Sequence, residues 1–191
     1  MADQSVKQEK HIAFYKLIYD SEAKNLLGAI LVLDELGKPQ EFRVTYPVKP
    51  TMIQRQLYGD ALVPHVGIEL CGKPLYDTLK SAPQLLIASD ELLLGLANEI
   101  DIPVVYLERT GESLVVNMPA GVVQRAKQKL TSHSGRFDPI TVSYPPFYEE
   151  NACAATAQIV TDFFTGIDLL EPFHRIVVAI DTLRAQDERF R

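Results

Sequence analysis

The chain has no tryptophan, three methionines, two cysteines and four histidines in 191 residues. Each scarcity closes off a class of chemistry. Cys71 and Cys153 stand alone in apolar-periodic segments. They offer no Cys-x-x-Cys pair for a metal or redox couple, and both read as buried, reduced thiols of a reducing compartment. His11, His65, His133 and His174 are scattered, without a His-x-x-x-His spacing to set two imidazoles on one helix face. His65 follows Pro64 in an apolar stretch and reads as a packed or capping histidine. There is no Gly-x-Ser-x-Gly elbow for a nucleophilic serine. Gly-Lys-Pro occurs at 37–39 and at 72–74, but a phosphate loop needs Gly-Lys-Ser/Thr opening a helix, so both read as turns. No apolar run approaches the ~20 residues of a membrane span. The polar MADQSVKQEK lacks the apolar centre of a signal peptide. We therefore expect a cytoplasmic protein. Positive charge is also short: 19 Lys and Arg against 25 Asp and Glu give a net charge of −6. A general electrostatic grip on nucleic acid or anionic lipid is not expected.

What is present is an α/β pattern in a chain that is 47% hydrophobic. Its clearest part is Ala82–Leu107. Apolar Leu85–Ala88 is followed by Ser89 as a helix N-cap, with Asp90 and Glu91 in the first turn, where the helix dipole favours negative charge. Leu92, Leu93, Leu96 and Ile100 recur at helical spacing, and Pro103 admits a second apolar run, Val104–Leu107. This predicts a β–α–β unit with two buried parallel strands. Before it, His11–Tyr19, Gly28–Leu33 and Gln40–Tyr46 predict an N-terminal antiparallel meander, and helical pieces fill Thr51–Lys80. After it, Ser113–Val116 reads as an edge strand or loop, Gly121–Thr131 as a helix and Pro139–Tyr144 as a strand. Helices Glu149–Phe164 and Leu169–Arg189, broken at Gly166, predict a C-terminal helical hairpin. On the second of these, Leu169, Phe173, Ile176, Ile180 and Leu183 form a heptad-like stripe, docked inward or used in a dimer. The expectation is a tail at 1–10 and one α/β domain at 11–191, with a mixed sheet of about five or six strands.

Two stretches are locally basic. From Glu112 to Asp138 no acid intervenes, against Arg125, Lys127, Lys129 and Arg136. Between Lys38 and Arg55 the only acid is Glu41, against Arg43 and Lys49. The second stretch joins a strand to a helix through Pro47 and Pro50. Connections on a rigid scaffold commonly carry function, so Tyr46, Lys49, Thr51, Gln54, Arg55 and Tyr58 are the candidate binding residues.

The order β, β, β, helical region, β, α, β over residues 11–131 resembles the ribonuclease-H-like superfold, including nucleases of the endonuclease V type. The resemblance is one of topology, and fold does not imply function. It implies carboxylates holding divalent metal, one within the first strand and another at the end of the fourth. Asp90 matches the second position. The middle of the first strand carries Phe14 and Tyr15, the nearest acid being Asp20. Asp34 and Glu69 are the further carboxylates this reading would use. With no assembled catalytic set in the sequence, the expectation is a non-enzymatic binding or scaffold protein, cofactor-free, acting through protein partners or self-association as a homodimer. The alternative is a metal-dependent nuclease or phosphodiesterase that uses Mg or Mn on nucleic acid.

Overall fold

Seven strands form one mixed sheet in the order β3-β2-β1-β4-β5-β7-β6. The structure, a computed structural model, describes residues 10–20, 24–111, 126–133 and 135–190. The strands are β1 His11–Asp20, β2 Asn25–Asp34, β3 Pro39–Val44, β4 Leu86–Ala88, β5 Val104–Arg109, β6 Lys127–Leu130 and β7 Ile140–Ser143. β1, β2 and β3 are antiparallel neighbours. β1, β4 and β5 run parallel, so their C-terminal ends lie at one edge. β7 and β6 close the sheet antiparallel.

Alternation along the strands feeds two cores. Ile12, Phe14, Leu27, Ala29, Ile87 and Val105 join α4 (Glu150–Phe164) and α5 (Glu171–Gln186) on one face. Ala13, Tyr15, Leu26, Ile30, Leu86 and Val104 join the helical pieces between Leu62 and Leu79, and the 3-10 segment Glu91–Asn98, on the other. A strand covered on both faces has no polar positions, which is why Leu85–Ala88 and Gly28–Leu33 are continuous apolar runs. Leu86, Ile87, Val104 and Val105 are all 0% exposed.

The helical pieces are α1 Met52–Tyr58, α2 Leu62–His65, a π-helical turn Val66–Gly72 and α3 Lys73–Asp77. The π turn sits tightly on β1 and β2. The Tyr15 hydroxyl donates to the Gly67 carbonyl at 2.5 Å. A Cβ at Gly28 would stand 2.7 Å from Cys71 Cβ, so this close approach explains a glycine inside a core strand.

Two expectations are corrected here, and a third, the inward docking of the C-terminal stripe, is met. The helix read over Gly121–Thr131 is, where described, strand β6, paired with β7. Its Lys127, Gln128 and Lys129 are exposed at the sheet edge and leave no buried period to read. Asp90, not Ser89, caps the Glu91–Asn98 turn, its carboxylate accepting from Leu92 N at 2.8 Å. Ser89 instead extends the β-ladder by donating to the Tyr15 carbonyl. The Leu169, Ile176 and Ile180 stripe is fully buried on the protein's own core, and α5 lies over β1 and β2. The Ser113–Val116 segment and residues 1–9 lie outside the described residues. No helix among the described residues is long and apolar enough to cross a membrane.

Glu41 is the acid that ties β3 to the helical layer. Its carboxylate accepts from Lys80 N and Ser81 N at 2.9 Å each, and from Arg43 Nε at 2.7 Å. Burial alone would raise its pKa. Those donors outweigh burial and hold it from an ordinary 4.5 down to about 2. A depressed folded-state pKa gives stability that is present above the unfolded value and lost as pH falls through the folded one. Acidification from about pH 5 to about pH 2 should therefore remove about 1–2 kcal/mol through this group. Chemical denaturation across that range reads it, and Glu41→Gln should flatten this part of the profile.

Candidate functional site

Two places gather polar chemistry: the edge where the parallel strands end, and a cleft beside α1.

At the edge, one row crosses the sheet in register: Tyr15, Ala88, Tyr106, Ser143 and Lys127. Asp90 and Glu91 follow two and three residues after Ala88, and Glu108 lies two residues after Tyr106 on the same face. Lys127 Nζ is 3.2 Å from Glu91 and 3.2 Å from Glu108. The Ser143 hydroxyl donates to Glu91 at 3.3 Å. The Lys127 ammonium thus stands between two carboxylates. Burial pulls its pKa down, and the two acids outweigh burial and raise it. Tyr106 is pushed up by burial, then by Glu108, Glu91 and Asp90, so all three carboxylates act on one ring. On the opposite face Lys16 is half-buried, 5.9 Å from the Phe173 ring centroid. Burial lowers its pKa against the opposing pull of Asp90.

A divalent metal does not fit this arrangement. Metal ions of this class need several oxygen ligands converging on them. β1 supplies none, because the Tyr15 hydroxyl is committed to Gly67 on the buried side. Lys127 fills the space between Glu91 and Glu108 with its own charge. Among the described residues no three His, Cys, Asp or Glu side chains are grouped to hold a metal.

The acids expected from the sequence are placed apart. Asp90 is at the edge. Asp20 lies five residues beyond Tyr15, roughly 17 Å along β1 at ~3.3 Å per residue, and pairs with Arg184 at 3.7 Å. Asp34 is opposite His11 at the other end of the hairpin. There it accepts from Leu36 N and Lys38 N, both at 2.9 Å. Glu69 is on the π turn, 3.0 Å from His65 Nδ1. The Glu91–Lys127–Glu108 cluster was missed, because its members come from three separated elements and one of them was read as a helix.

The Tyr46–Tyr58 segment is partly brought together. Val48 exchanges backbone hydrogen bonds with Leu26 at 2.9 and 2.7 Å, which fixes the loop to β2. Thr51 caps α1 in a reciprocal capping box with Gln54. The Arg55 guanidinium donates to the carbonyls of Pro50 and Lys24, so this residue braces the loop. Tyr46 leaves the group and stacks on Phe190, centroids 5.2 Å apart. Lys49, Gln54 and Tyr58 line a cleft of ≈ 140 Å³ together with His65, over a floor of Leu62, Val66 and Leu70. The Tyr58 ring stacks on the His65 imidazole, centroids 4.8 Å apart and planes at 26°. Gln54 Oε1 accepts from Thr51, so its NH₂ group is the end left for the cleft. Lys49 has no ion-pair partner among the described residues. His65 does pack, as the sequence suggested, but its i, i+4 relation to Glu69 was a signal of a polar role that went unread.

α1 itself has no buried residue, and Met52, Ile53 and Leu57 are 67, 69 and 78% exposed.

No protein-family model matches the chain, and no curated protein matches it in sequence. Solved structures do resemble it. An endonuclease V from Bacillus subtilis is similar at 10% identity and a TM-score of 0.49, covering 82% of this chain and 70% of that one. An endonuclease V from Streptomyces avermitilis is similar at 17% identity and a TM-score of 0.44, covering 70% and 64%. An endonuclease V from Ciona intestinalis, in complex with a 23-mer DNA containing an inosine followed by a ribo-adenosine, is similar at 14% identity and a TM-score of 0.40, covering 84% and 79%. The likeness is one of fold, ribonuclease-H-like and endonuclease V-like. The expectation of a non-enzymatic scaffold acting through protein partners is corrected by these findings, since the structures this chain resembles are nucleases.

Proposed function

We propose that this chain engages single-stranded nucleic acid, and that its working surface is the cleft between Val48–Tyr58 and His65–Leu70. The observation that carries the reading is the Tyr58–His65 aromatic wall, set in a cleft open to solvent beside Lys49, which has no ion-pair partner among the described residues. A stacking face next to a cation is what sequence-tolerant binding of an unpaired base requires. The cation is local and the chain as a whole is acidic, which favours a short contact with one strand over a broad grip on a duplex. Fluorescence anisotropy with labelled single-stranded and duplex oligonucleotides tests this. Single strands should bind more tightly than duplex, and Lys49→Glu should weaken them by about tenfold or more. Equal binding by Lys49→Glu, or a preference for duplex, would overturn the reading.

A second reading, metal-dependent phosphodiester hydrolysis with Mg or Mn, would require Glu91 and Glu108 to exchange the Lys127 ammonium, 3.2 Å from each, for a metal ion at the edge where the parallel strands end. As arranged, the edge is neutralised by Lys127, and Asp90 serves as a cap. Asp90→Asn should then cost at most about 1 kcal/mol and leave the response to Mn²⁺ unchanged. A Mn²⁺-dependent rise in melting midpoint that is lost in Asp90→Asn would establish the hydrolytic reading, because only binding to the native state stabilises it in that way.

A further inference from the structure

We infer that the cleft receives the last nucleotide of a single strand, so that the protein recognises a free strand end; this rests on the nucleic-acid reading above and goes further by fixing where the strand must stop. The argument is the charge on the two sides of the aromatic wall. On the near side are Lys49 and the Gln54 NH₂ group, a cation for one phosphate and a donor for a base edge. Tyr58 and His65 also line a second cleft of ≈ 320 Å³, whose remaining lining is Ala61, Pro64, Ile68 and Glu69. The one carboxylate there, Glu69, is held 3.0 Å from His65 Nδ1 with a side chain 61% exposed. A strand running on past the wall would carry its next phosphate toward that carboxylate, with no lysine or arginine among the lining residues to offset it. A strand ending at the wall meets no such repulsion.

The walls are also held in place. Val48 is tied to β2 by two backbone hydrogen bonds, and the capping box fixes the first turn of α1 above the cleft. A terminal base stacked on Tyr58 would therefore enter a preformed slot, with its phosphate at Lys49 and its free side facing Glu69.

The test is competition on the full chain. A labelled linear single strand is displaced by an unlabelled linear strand, or by a covalently closed circle of the same sequence long enough to be unstrained. The circle has every base and phosphate but no end. It should compete about tenfold or more less well, the loss of one stacked base. Linear strands blocked by a bulky group at the 5′ or the 3′ terminus identify which end enters. Glu69→Gln should raise the affinity of the circle toward that of the linear strand, and Tyr58→Leu should lower the linear strand to the level of the circle. Equal competition by circle and linear strand would overturn the strand-end inference and leave the nucleic-acid reading standing. No binding by either would overturn both.

Discussion

Removal of residues 167–191 should leave a chain that no longer folds. Leu169, Ile176 and Ile180 are fully buried, and Phe190 is nearly so. All belong to the core on the α5 face of the sheet, where Phe173 also meets Phe14 edge-on with centroids 5.7 Å apart. Full burial of one such side chain contributes about 1.5–3 kcal/mol. Losing several together exceeds or equals the whole net stability of an ordinary domain, about 5–15 kcal/mol. The deletion also uncovers Phe14 and Leu27 of the central strands, so the product should aggregate. Size-exclusion chromatography and circular dichroism of the truncated chain are the check. A monomeric, folded product would show α5 to be an appendage.

Leu86→Ala should be strongly destabilising. Leu86 lies on a three-residue strand, β4, that pairs with both β1 and β5 and is 0% exposed. A strand so short has no exposed end to relax into, so the cavity should stay open and the cost should be about 2–5 kcal/mol. Urea denaturation of the variant and its parent gives the difference directly. A loss below about 1 kcal/mol would mean that the parallel centre is looser than the packing here requires.

The parallel centre was legible in the sequence because its burial is two-sided. Strands covered on both faces must be apolar throughout, and Leu85–Ala88 and Val104–Leu107 are. The meander was legible in the same way, through β2. The β6 strand was not. Lys127, Gln128 and Lys129 are exposed, so their placement is decided by hydrogen bonds to β7, which leave no periodic mark. The π turn was equally hidden, since it depends on Gly67 receiving the Tyr15 hydroxyl from 52 residues away. At the candidate site, the segment Tyr46–Tyr58 stood out through its prolines and its local basic balance. Its partners did not: His65 and Leu70 reach the cleft only because α1, α2 and the π turn fold back over Val48. The resemblance in element order was also visible, and so was the misfit at its first position, where Tyr15 occupies the middle of β1. What no local pattern could give is the reason for the misfit: Tyr15 holds the helical layer in place and is fully buried.

Chemical-shift mapping of the full chain, titrated with a short single-stranded oligonucleotide, tests most directly where this protein works. The account predicts that the largest changes fall on the backbone of Val48–Tyr58 and His65–Leu70, with Asp90, Glu91, Glu108 and Lys127 unmoved. Changes concentrated at the Asp90–Glu91 and Glu108 edge, with the cleft beside α1 silent, would contradict it.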